Sequence, residues 1–72
     1  MPYKVTSEGL AKLSYSADLT EKQVQALALL SKAPDNYFDS AEVANYYGYS
    51  NGSYFRGVMY SLLLKGFVSS LY

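Results

Sequence analysis

Residues 38–68 constrain the fold of this chain more than any other stretch. Asp39 is followed three positions later by Glu42, the pattern of a capping box. In such a box each side chain accepts a hydrogen bond from the other residue's free backbone N–H. Phe38 and Val43 flank it as a hydrophobic staple, which sets the angle at which the chain enters a helix. A short helix over 40–47 is predicted, with Gly48 as its left-handed C-cap. Ser50 or Asn51 then caps a longer helix that continues to Lys65. Phe55, Val58, Met59 and Leu62 form its apolar face at helical spacing. Gly66 closes it, and 67–72 reads as an extended, strand-like tail.

The same start device occurs upstream. Thr20 and Gln23 make a second capping box, with Leu19 and Val24 as its staple. They open a helix from 21 to about 32, with Val24, Leu27, Ala28 and Ser31 on one face and Leu30 beside it. Pro34 ends it, because the residue before a proline is pushed out of helical geometry. Before that, Tyr3, Lys4, Val5 and Thr6 alternate apolar and polar, as a short strand or extended arm does. Residues 7–15 carry Leu10, Ala11 and Leu13 on a weak helix, with Gly9 counting against it. The expectation is one mainly α domain over 1–72, with three to four helices and short N- and C-terminal strands. Residues 1–18 form an arm and weak helix, and 19–69 the core.

Ala44, four residues before Gly48, permits close approach of the second helix, and Val43, Tyr47 and Tyr49 flank the turn as core-facing positions. With the closing run from Val58 through Lys65, Gly66, Phe67 and Val68, residues 19–69 resemble the winged helix-turn-helix superfamily. That resemblance implies a recognition helix over 51–65. Val58 to Leu62 is similar to the recognition helix of the Z-form nucleic-acid-binding winged helices, with Tyr60 where that family stacks a tyrosine. Arg56 in place of that family's Asn, no Trp and no Pro after Gly66 limit the likeness to shared scaffold. The wing is expected to be reduced or missing, since six residues follow Gly66 and they hold no Asn-Gly or Asp-Gly turn. The tail then needs another partner strand: residues 3–6, the Tyr37–Phe38 segment, or the same tail in a second copy, which would make a homodimer. A fragment whose wing lies beyond Tyr72 is the remaining reading.

Composition narrows the chemistry. The 72 residues include no Cys and no His, which removes disulfides, the usual zinc sites and His-based catalytic triads. The carboxylates sit mostly at helix starts, and no Gly-rich phosphate loop follows a strand. No enzymatic activity, cofactor or metal is therefore expected. No apolar run approaches the roughly 20 residues that span a bilayer. The first six residues do not resemble a signal peptide, so a cytoplasmic location and no membrane partner are expected.

Charge and tyrosine pull in different directions. Six basic and six acidic residues balance, whereas nucleic-acid modules usually carry a basic excess. All six acids precede position 43, and Arg56 and Lys65 are the only charges after it. Double-stranded DNA is the expected partner, bound weakly per monomer by a small regulator of viral, plasmid or operon scale. Arg56 is the candidate for a base contact, because its fork matches a guanine edge. Tyr49, Ser50, Asn51, Ser53, Tyr54, Tyr60 and Lys65 complete the nucleic-acid-binding set, mainly toward phosphate. The exposed side of the helix is expected to carry Gly57 and Ser61 as well. Seven of nine tyrosines lie at or after Tyr37. Tyrosine also supplies rigid contact area at protein interfaces. The alternative is thus a protein–protein interaction module on the same scaffold, such as a small viral inhibitor or adaptor. Tyr3, Val5, Leu63, Leu64, Leu71 and Tyr72 are the candidate partner or dimer surface.

Overall fold

Both capping boxes are closed in the computed structural model, which describes residues 1–71. The Gln23 N–H donates to Thr20 Oγ1 at 3.2 Å, and the Thr20 N–H donates to Gln23 Oε1 at 2.9 Å. Asp39 and Glu42 repeat the exchange at 2.9 and 3.0 Å. In chain order the elements are β1 (Tyr3–Val5), α1 (Ser7–Lys12), a 3₁₀ turn (Leu13–Tyr15), α2 (Glu21–Lys32), α3 (Ser40–Tyr46), α4 (Ser53–Leu64) and β2 (Val68–Ser70). The result is a mainly helical domain of four α-helices and a two-stranded antiparallel sheet among the described residues. Gly48 and Gly66 adopt φ of 86° and 81°, the left-handed region where a Cβ is penalised.

The start of α4 differs from expectation by one or two residues. Gly52 holds the N-cap position, and Asn51 contributes from one residue earlier, its Oδ1 accepting the Ser53 N–H at 2.9 Å. Steric crowding explains why position 52 is a glycine. A Cβ on Gly52 would lie 2.9 Å from Ala41 Cα, so the turn passes hard against the first turn of α3.

The buried core draws on every layer: Leu27 and Leu30 from α2, Val43 and Ala44 from α3, Phe55, Met59 and Leu62 from α4, and Tyr3, Val5 and Val68 from the sheet. On α2 the buried set is Ala26, Leu27, Leu29 and Leu30, while Val24, Ala28 and Ser31 are half-buried. The expected stripe is displaced because α2 touches α4 on one side and α1 and β1 on others, so burial spreads around the helix.

The C-terminal tail finds its partner inside the chain. β2 pairs antiparallel with β1 in the register Tyr3 to Ser70 and Val5 to Val68. On its other edge Tyr3 exchanges two backbone hydrogen bonds of 2.7 Å with Phe38. β1 therefore lies between β2 and the Phe38 bridge. Thr6 locks this arrangement: its Oγ1 accepts the Gly9 N–H at 3.1 Å and donates to the Gly66 carbonyl at 2.7 Å.

This pairing corrects part of the expected partner surface. Tyr3 and Val5 are buried in the chain's own core, because residues two apart on a strand face the same way and here that face meets the helices. Leu63 is half-buried against the same core. Leu64 and Leu71 remain exposed, and Tyr72 lies outside the described residues.

Candidate nucleic-acid interface

α4 is amphipathic in the sense its sequence requires. Phe55, Met59 and Leu62 are buried and Val58 is half-buried against them. The opposite side carries Ser53, Gly57, Tyr60 and Leu64 at spacings of three and four, a single line along the helix crest. Arg56 and Tyr54 flank that line, and all six are exposed. Tyr54 and Tyr60 are 55% and 56% exposed, comparable with Tyr46 and Tyr15 elsewhere on the surface.

Four of the six cationic side chains are occupied by the chain's own rings. Lys4 lies 5.3 Å from the Tyr37 centroid, Lys12 4.6 Å from Tyr15, Lys22 5.0 Å from Tyr49 and Lys32 5.0 Å from Tyr46. Lys12 also pairs with Asp18 at 2.8 Å. That hydrogen bond, with further help from Lys65, holds the Asp18 carboxyl below its ordinary range. Arg56 has no hydrogen-bond, ion-pair or ring partner among the described residues. Its guanidinium projects from a helix that contains no acid.

The expected site residues divide into three groups. Ser53, Tyr54, Arg56 and Tyr60 share the exposed side of α4, and Ser50 and Asn51 are exposed in the turn before it. Lys65 is exposed but sits just past the other end of α4, about 18 Å from the first turn at 1.5 Å per residue. Tyr49 is half-buried as packing: its ring meets Phe55 edge-on at 5.6 Å and Tyr54 at 5.2 Å. Its hydroxyl accepts from Lys22 Nζ at 3.3 Å. Ser61, expected on the exposed side, is half-buried and accepts from Gln23 Nε2 at 3.0 Å, tying α4 to α2.

Lys22 is the residue that sequence reading missed. Through Tyr49 it adds a second cation beside the first half of α4, yet it lies 27 positions before that tyrosine in the chain. No local pattern marks it, because only packing of α2 on α4 brings it there. A separate open groove of about 450 Å³ lies between α2 and α3, lined by Leu29, Phe38, Glu42, Asn45 and Tyr46. Its polar groups are largely engaged already: Glu42 Oε1 caps α3, and the Tyr46 hydroxyl accepts from Lys32 at 2.7 Å.

Tyr47 supports the turn from behind. Its hydroxyl donates to the Gln25 carbonyl at 2.6 Å, and its ring stacks on Phe55 at 6.2 Å. Burial pushes this phenol above its ordinary 10.0, with Tyr46 adding and Lys32 opposing. The folded chain thus holds the proton more tightly than the unfolded chain does. Its contribution is complete below pH 10.0 and is lost as pH rises through the higher folded value. Urea unfolding is expected to show stability falling above pH 10.0, and falling less in Tyr47→Phe. At neutral pH that variant should lose about 1 kcal/mol with its hydrogen bond. Equal alkaline slopes for the two proteins would refute the assignment.

No helix among the described residues is long and apolar enough to cross a membrane. No protein-family model, no curated protein and no solved structure matches this chain.

Proposed function

We propose that this chain is a small, non-enzymatic DNA-binding protein of the transcription-regulator kind, with a winged-helix-like helix-turn-helix and α4 as its recognition helix. The observation that carries this reading is Arg56, an exposed guanidinium with no partner among the described residues, on the acid-free helix α4. A guanidinium presents two parallel donors to guanine O6 and N7, and a helix of this size enters a major groove. Ser53, Tyr54 and Tyr60 flank it with hydroxyls suited to phosphate oxygens. The α3 to α4 connection supports the same reading, since Gly48 turns the chain and Gly52 seats α4 closely against α3. In this scheme β1 serves as the strand beside β2 that a wing hairpin would otherwise supply.

With Arg56, Lys22 and Lys65 as the cations on or beside α4, binding to random-sequence duplex should have a shallow salt dependence. The slope of log K against log salt is expected at about −1 to −3 per protomer. Arg56→Ala should remove sequence preference and about one unit of that slope while leaving the circular dichroism unchanged. No binding in low salt at protein concentrations of about 0.1 mM would sink the reading.

A specific observation also favours the protein-partner alternative: Tyr54, Tyr60 and Leu64 expose large apolar area along one helix, Leu64 at 70%. Loss of a protein partner on Tyr60→Ala, with Arg56→Ala silent, would select that reading. A dimer on two half-sites belongs to the DNA-binding proposal and rests on Leu64 and Leu71, since the tail is paired within the chain.

A further inference from the structure

Of the five glycines, four have a reason inside the chain. Gly48 and Gly66 take positive φ, Gly52 passes Ala41, and Gly9 lies under the Phe67 carbonyl. Gly57 has none. It sits in the middle of α4, and a Cβ built there meets nothing within 4 Å beyond its chain neighbours and the nearby backbone of its own helix. Glycine within a helix weakens it relative to alanine, so this position gives up stability without relieving any internal contact. The position is also the centre of the exposed crest, with Ser53 one turn before, Tyr60 one turn after and Arg56 adjacent.

We infer that Gly57 is the point of closest approach between α4 and duplex DNA, its missing side chain admitting a base edge next to the one Arg56 reads. This rests on the DNA-binding reading of α4 and adds to it a steric determinant of specificity. Tyr54 and Tyr60 lie three residues before and after Gly57, both rings are exposed, and the space over the Gly57 backbone between them is open. A helix entering the major groove has its crest toward the base pairs, and any side chain at the centre of that crest holds the helix away from them. Depth of insertion then decides whether the Arg56 fork reaches both guanine acceptors.

The test uses a duplex enriched from a random-sequence pool by the wild-type protein, and compares wild type, Gly57→Ala, Gly57→Leu and Arg56→Ala on it. Gly57→Ala is expected to raise Tm by about 4–8 °C, because alanine strengthens the helix and has room. It should nonetheless weaken binding to the enriched duplex at least tenfold, and Gly57→Leu should weaken it further. Gly57→Ala binding within twofold of wild type, while Arg56→Ala binds poorly, overturns this inference and leaves the DNA-binding reading standing. A lower Tm for Gly57→Ala also overturns it, since the glycine would then serve the fold. Failure of the wild type to enrich or bind any duplex overturns both.

Discussion

Phe55→Ala is expected to remove about 4 kcal/mol of folding stability, the usual loss for a buried aromatic ring replaced by a methyl group. Phe55 is wholly inaccessible to solvent. Its ring stacks on Tyr47 at 6.2 Å and meets Tyr49 edge-on at 5.6 Å, so it joins the turn after α3 to the first turn of α4. Alanine would leave a cavity bounded by two tyrosines that are themselves held by hydrogen bonds to α2, Tyr47 to the Gln25 carbonyl and Tyr49 to Lys22. Those bonds limit collapse around the void, which keeps the loss from falling to the lower end of the range. A domain of 72 residues has in total about 4–11 kcal/mol to lose. Urea unfolding followed by circular dichroism should therefore show Phe55→Ala largely unfolded without denaturant, or with a strongly reduced midpoint. A loss below about 1 kcal/mol would contradict the packing described for this ring.

Gly9→Ala is expected to cost about 3 kcal/mol, against a gain of about 1 kcal/mol that helix propensity alone would give. A Cβ at this position overlaps the Phe67 carbonyl oxygen and lies 2.9 Å from Val5 Cγ2. The obstacle is backbone, and that carbonyl accepts the Thr6 N–H at 3.1 Å. Accommodating the methyl group requires α1 to lift from Phe67, in the link between α4 and β2, which also strains the Thr6 bonds to Gly9 and Gly66. Because the two effects have opposite signs, thermal unfolding decides between them directly. A higher Tm for Gly9→Ala would mean that α1 does not pack where it is described. The same substitution at Gly57, where nothing is near, is expected to act in the opposite direction, so the pair is an internal control.

These glycines show where reading the sequence ends. Asp39 with Glu42 and Thr20 with Gln23 are legible because capping is a contest among groups within four residues of one another. Gly48 and Gly66 are legible for the same reason, since a left-handed C-cap is a local requirement. The buried face of α4 follows from its periodicity, and Phe55, Met59 and Leu62 are buried as that spacing requires. Gly9 read as a weakness in a helix, whereas the chain uses it for contact with a carbonyl 58 positions away. Ser61 read as surface, and its hydroxyl bonds a glutamine on another helix.

The candidate site divides along the same line. That Arg56, Ser53, Tyr54 and Tyr60 share one exposed side of a helix is a matter of angle per residue, and the sequence alone determined it. That Lys22 stands beside them, that Tyr49 is packing, and that Lys65 lies at the far end depended on how α2 and α4 cross and how long α4 runs. The pairing of the tail was likewise undetermined by sequence, since a three-residue strand of Val68, Ser69 and Ser70 carries no code for its partner. Tertiary structure settled it through Tyr3, whose backbone is shared with Phe38 on the edge opposite β2 and whose side chain is buried in the core. The two capping boxes, the left-handed glycine stops and the buried face of α4 come from interactions a few residues in range, so the order of residues specifies them. The residue at which α4 starts, the buried face of α2, the cations left without a ring partner, the glycine that touches backbone and the strand that closes the sheet depend on contacts across the folded chain, which no local pattern encodes.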